Sequence, residues 1–132
     1  MSYTAWWDLD SADIADAAGV RKVIEEAADL LYPHGGQGIV IRLGDGEETE
    51  APLRIDIDAV VGRAAVSWKG VPGIEPGVEA SQALTVGDDP YEPPVTIPAE
   101  RARVTPEMAI RAAEEYVRTG ERPGGLEWEP VV

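Results

Sequence analysis

Apolar positions recur along the 132-residue chain with two periods, and the change of period marks where the elements change. Tyr3 to Trp7 alternates. A strand there puts Tyr3, Ala5 and Trp7 on one face and Thr4 and Trp6 on the other. If Trp7 faces the core, Trp6 faces water, another layer or a partner. The acidic stretch Asp10 to Asp16 predicts a loop approaching a helix, with Asp16 as N-cap and Asp13 as its competitor. That helix runs to about Leu31 on a stripe of Val20, Val23, Ile24, Ala27, Leu30 and Leu31, and Pro33-His34-Gly35-Gly36 ends it. Gly38 to Leu43 is β-branched and predicts a strand. Gly44 to Pro52 is an acidic turn. Leu53 to Val61 alternates again, with Leu53, Ile55, Ile57 and Ala59 on one side and Arg54, Asp56 and Asp58 on the solvent side. Gly62-Arg63 turns the chain into a strand from Ala64 to Trp68, and these last three strands pair as a meander.

Lys69 to Ala80 holds five glycines and prolines within a dozen residues and predicts a surface loop. Ser81 to Val86 is a further strand, Gly87 to Pro94 an acidic, proline-rich loop, and Val95 to Ile97 a short edge piece. The clearest helix lies near the C-terminus. Thr105 is its N-cap, Pro106 its first residue, and Met108, Ala112 and Tyr116 form a ridge beside Ala109, Ala113 and Val117. Arg118 suits the last turn and Gly120 the left-handed stop. Leu126 to Glu129 closes as a strand. The expected fold is α+β, a mainly antiparallel sheet of five to seven strands with two helices packed on it, in a single domain spanning residues 1–132.

The helix that runs into Thr119, Gly120, Arg122 and Pro123, with the closing Trp128 and Glu129, resembles immunity protein family 1 of bacterial polymorphic toxin systems. Trp7-Asp8 is similar to the Trp-Asp that ends an N-terminal strand in many members. The resemblance covers most of the chain in layout and the last twenty-five or so residues in motif. It implies binding to a cognate toxin, one with a deaminase domain acting on nucleic acid or nucleotides. The helix, glycine stop and closing strand themselves read as mostly scaffold, with Trp128 a core anchor.

Composition narrows the chemistry. No cysteine is present, which removes disulfides, thiolate nucleophiles and cysteine-bound zinc. MSYTAWWDLD has neither a basic region nor an apolar run, and no segment reaches the length of a membrane span, so a cytoplasmic, soluble protein is expected. Twenty-five acids against eleven bases leave a net charge of −14. Residues 1–60 contribute −9 and residues 61–132 contribute −5. Such a field repels nucleic acid and anionic membrane and speeds encounter with a basic partner.

Catalytic patterns are missing from the sequence. The lone histidine, His34, sits in a Pro-Gly turn; Ser11, Ser67 and Ser81 lack a nucleophile-elbow context; and the H-x-E and P-C-x-x-C of a zinc deaminase are absent. GDGEETE has the acidity of a calcium loop without its spacing, so no metal or cofactor is expected. Asp56 and Asp58, or Glu129, are what a small hydrolase would use. An acidic nucleic-acid mimic aimed at some other DNA-binding protein is the remaining alternative. Binding is the preferred reading. The expected partner is a toxin with a basic substrate cleft, and the candidate contacts are Trp6, Asp45, Glu47, Glu48, Asp88, Asp89 and Tyr91. Glu129 is left between strand end and interface.

Overall fold

The computed structural model describes residues 3–8, 10–31, 38–87 and 93–129, with side chains from 29 to 31 excluded. Nine strands form one sheet: β1 (Tyr3–Trp7), β2 (Asp10–Ile14), β3 (Gly38–Gly44), β4 (Leu53–Asp58), β5 (Arg63–Trp68), β6 (Val71–Ile74), β7 (Leu84–Gly87), β8 (Val95–Ile97) and β9 (Glu127–Trp128). Among the described residues, two α-helices, α1 (Ala17–Leu31) and α2 (Pro106–Thr119), and a 3-10 turn at Glu48–Glu50 complete it. The fold is α+β with a mainly antiparallel sheet, as the pattern predicts, and it has more strands than the five to seven expected.

The main path of the sheet is β2-β1-β3-β4-β5-β6-β9. One edge of β3 pairs with β4 along five positions. Its other edge is shared: β1 takes Ile41 to Gly44 in antiparallel register, and β7 takes Gly38 and Ile39 in parallel. β8 pairs only with β7. The hairpin β7–β8 therefore leaves the main path and crosses one face of the sheet.

Side-chain parity divides that sheet into two surfaces. Tyr3, Ala5, Ile39, Ile41, Leu43, Leu53, Ile55, Ile57, Ala64 and Val66 point toward the helices and are buried with Val20 and Ile24 of α1 and Ala109, Ala113 and Tyr116 of α2. Trp7, Trp68 and Trp128 pack partly buried against this core. The opposite face carries a smaller core of Val40, Ala65, Leu84, Val86, Ile97 and Ala102, closed by the β7–β8 hairpin.

Capping explains where both helices begin. Asp16 Oδ1 accepts from the Gly19 N–H at 2.8 Å ahead of α1. Thr105 Oγ1 accepts from the Met108 N–H at 3.3 Å ahead of α2, with Pro106 at the first position. Gly120 ends α2 at φ 73, its N–H donating to the Tyr116 carbonyl at 2.7 Å. Across the helices, Arg21 of α1 donates to Glu107 at 2.8 and 3.1 Å and to Glu114 at 3.0 and 3.1 Å, bolting α1 to α2. These hydrogen bonds hold the Glu107 carboxyl below the usual carboxylate range.

Several expectations need correcting. Asp10 to Ile14 is an edge strand and not a loop: Asp8 is left-handed at φ 54, and all five residues are in register with β1. Backbone pairing overrides the poor strand propensity of its acids, which sit exposed on the edge. Val71 to Ile74 is likewise a strand inside the expected Lys69–Ala80 loop. Lys69 and Gly70, both left-handed at φ 49 and 84, turn it back onto β5. β4 stops at Asp58, so Ala59 lies in the exposed turn, and β7 begins at Leu84 instead of Ser81. Asp56 and Asp58 are 4% exposed, where the alternation predicts solvent, because the β7–β8 layer covers that part of the outer face.

Candidate functional site

Register alone builds the most distinctive surface of the molecule. Ser11 pairs with Trp6, Trp6 with Arg42, Arg42 with Arg54, Arg54 with Ser67 and Ser67 with Pro72. These six residues form one row across five neighbouring strands and into a sixth, on the face opposite the helices. The β7–β8 hairpin covers the rows beyond Val40 and Ala65 and leaves this row open.

Over the row lies a cleft with a volume of about 400 Å³. Arg42, Arg54 and Ser67 contribute to its floor, Lys69 and Arg101 to its rim, and Val95 to Pro98 to one wall. Asp56 also lines it, and the Arg54 Nη2 donates to the Asp56 carboxylate at 2.9 Å. With Asp56 buried and Arg54 about one-third exposed, the pair presents its cation outward. Lys69 sits at the first position of its two-residue turn, where Asn, Asp and Gly fit best. Its left-handed backbone costs about 1 kcal/mol relative to glycine, and its ammonium lies 5.8 Å from the Trp68 ring centre.

The sequence-derived contacts fall in several places. Trp6 is half-buried in the open row, beside Arg42. Asp45, Glu47 and Glu48 are exposed in the β3–β4 loop, together with Glu50, and this loop runs directly into Ala51 and Pro52 of the cleft lining. Asp88, Asp89 and Tyr91 lie outside the described residues, as does His34. Gly87, the last described residue before that segment, pairs with Ile39 at the opposite end of β3 from Asp45, about 20 Å away along the strand.

The motif residues form a C-terminal clasp. Thr119 Oγ1 donates to the Glu115 carbonyl and accepts from the Glu121 N–H, and Gly120 stops the helix. Pro123 is buried, and its carbonyl accepts from the Trp128 indole N–H at 2.9 Å. Arg122 lies over the Trp128 ring, 5.4 Å from its centre. Glu129 donates its backbone N–H to the Pro72 carbonyl at 2.9 Å, while its side chain is exposed. The Glu129 bond reaches β6, and the other contacts of this set hold the turn between α2 and β9 together.

The paired carboxylates do not assemble a catalytic dyad at the cleft. Asp56 lines it, engaged by Arg54; Asp58 does not, and its Oδ1 accepts from the Val60 and Val61 N–H groups at 3.0 and 3.2 Å, holding the β4–β5 turn. Among the described residues, no group of three or more His, Asp or Glu is placed to hold a metal ion. No described helix is long and apolar enough to cross a membrane.

Sequence reading misses Arg42, Arg54, Lys69 and Arg101 as a group. Strand parity does put Arg42 and Arg54 on the outer face. Nothing local connects them to a turn lysine and to an arginine almost fifty residues further on.

What fold and surface define together is a small α+β domain with a C-terminal clasp at one sheet edge and charged surfaces elsewhere. A family model described as immunity protein Imm1 matches residues 10–130. The chain belongs to that immunity protein family. None of the curated proteins matches the chain.

Proposed function

We propose that this protein binds and neutralises a cognate toxin that is a deaminase of nucleic acid or nucleotides, by placing an acidic surface in the toxin's substrate cleft. The observation that carries the reading is the family match across 121 of the 132 residues, which makes the chain an immunity protein of a toxin system. Charge supplies the mechanism. Enzymes that act on nucleic acid line their clefts with Lys and Arg. An acidic protein occupying such a cleft excludes the substrate and gains on-rate from the opposite charge. The exposed Asp45, Glu47 and Glu48 support this reading, since they project from a loop anchored at both ends by strands of a rigid sheet. Asp88, Asp89, Tyr91 and Trp6 complete the proposed contact set. The inhibitor acts in the cytoplasm of the producing cell, without catalysis, cofactor, nucleic acid or membrane.

Co-expression tests it. The toxin encoded beside this protein should arrest growth alone and permit growth in its presence, with a stable complex recoverable. Asp45→Asn, Glu47→Gln and Glu48→Gln together should slow association by roughly tenfold at low salt and flatten its salt dependence. Dissociation should change less. No complex and no rescue would remove the immunity reading; an unchanged association rate would move the interface away from this loop.

A further inference from the structure

The open cleft has the sign opposite to that of the whole molecule. Among the described residues, four of the chain's eleven basic residues line it together with one carboxylate, Asp56, which Arg54 engages. Arg42 and Arg54 stand directly opposite each other on adjacent strands. Lys69 is carried to the rim on a left-handed turn position. In a chain with net charge −14, this concentration of cations among the described residues of one concave surface runs against the charge of the whole.

The shape of the wall selects the occupant. Val95, Thr96 and Ile97 of β8 line the cleft, whereas no residue of β7 does. The cleft therefore runs along the edge of β8 that β7 leaves open. Such an edge offers backbone donors and acceptors to an extended chain. Val95, 47% exposed, adds an apolar step beside it. A long polyanion fits poorly. The lining residues Ala51 and Pro52 follow directly on the loop of Asp45, Glu47, Glu48 and Glu50, which repels any negative charge continuing past that end.

We propose that the cleft docks a short, extended, acidic segment of the toxin, which adds as a strand to the outer edge of β8 and lays its carboxylates on Arg54, Lys69 and Arg101. The identity of the partner rests on the immunity reading; the chemistry of the segment does not. The combined surface is then two-signed, with acidic loops reaching into the toxin and a basic groove receiving a strand from it. A partner must match both signs in the right order, which excludes near relatives that match only one.

The test has two arms. In the first, a fluorescein-labelled peptide Val-Glu-Val-Glu-Val-Glu is titrated into the full-length protein and followed by anisotropy, with amide shifts mapped in isotope-labelled protein. Saturable binding is expected, with shifts centred on Lys69, Thr96 and Arg101. The double variant Lys69→Glu/Arg101→Glu, both sites being exposed, should keep its melting temperature and lose at least roughly tenfold in affinity. N-methylation of alternate peptide nitrogens should abolish binding in one phase and spare it in the other. Absence of peptide binding overturns the proposal, as does equal affinity in the double variant or tolerance of both N-methylation phases. Displacement by stoichiometric inorganic phosphate overturns it in favour of a small-anion site, and tighter binding of a single-stranded oligonucleotide does so in favour of nucleic acid. In the second arm the cognate toxin domain replaces the peptide. Weaker binding by the double variant supports the proposal. Equal binding overturns the cleft contact and leaves the immunity function intact. If the wild-type protein forms no complex, the immunity reading falls and the peptide arm alone decides the groove.

Discussion

Tyr116 meets Tyr3 and Trp68 edge-on, with ring centres 5.0 and 5.4 Å away, and joins α2 to two strands through one aromatic cluster. Burial, then the negative charge of Asp45, then Tyr3 push its phenol pKa up to about 12. An unfolded chain gives up this proton first, near the ordinary value of 10. The contribution of the group to stability is thus intact below pH 10 and is lost as pH rises toward about 12. The expected loss is on the order of 2 kcal/mol. Urea denaturation at a pH below 10 and again near 12 measures it, and Tyr116→Phe should remove that component of the slope. An equally steep slope in the variant would assign the alkaline loss to other groups. Single residues also show where alternation misleads. Asp56 and Asp58 occupy solvent-side positions by parity, yet both are buried. The strands that cover them are over twenty-five residues away in sequence, beyond what a period of two can register.

At the level of elements, what was legible had local causes. The cap, proline and glycine stop of α2 are encoded within the helix and its flanks, and they appear as expected. The β3–β4–β5 meander likewise follows from alternation and short turns. β2 and β6 were illegible because distant or backbone-level partners make them strands. β2 is an acidic edge held by register with β1, and β6 is a glycine-proline segment caught between β5 and β9. Gly73 shows the dependence on distant chain. A Cβ there would stand 2.8 Å from Trp128 Cζ3, 3.0 Å from its Cε3 and 3.1 Å from Leu126 Cδ1. The ring lies on the strand because no side chain is in the way. Gly73→Ala should destabilise the protein by about 1–3 kcal/mol through overpacking and should move Trp128, with its emission shifting to the red. A denaturation midpoint equal to that of the wild type would mean that the clasp yields without cost.

For the whole molecule, the C-terminal clasp meets the open cleft at a single strand. Thr119 to Trp128 grip the β6 edge, whose Pro72 also lines the cleft, while the cleft cations and the acidic loop lie on other segments. That explains why sequence could suggest the family and still miss the groove: motif positions are contiguous, whereas the cleft cations come from four separate segments brought together by pairing register. The net charge of −14 further masks a local excess of the opposite sign.

The shared edge of β3 has a dynamic consequence. Among the described residues, Gly38↔Val86 and Ile39↔Gly87 pair the β7–β8 hairpin with the main sheet, and the hairpin packs on its own small apolar cluster, apart from the main core. A hairpin resting on a small apolar cluster of its own makes a cooperative unit that detaches at lower free energy than the sheet itself. In native-state hydrogen exchange, the paired amides of β7 and β8 should therefore lose protection before those of Ile41 and Ile55. Exchange of all of them only through global unfolding would refute a separately opening hairpin. Because β8 is also a wall of the cleft, lifting of this hairpin widens the groove from the side while the helical layer stays closed.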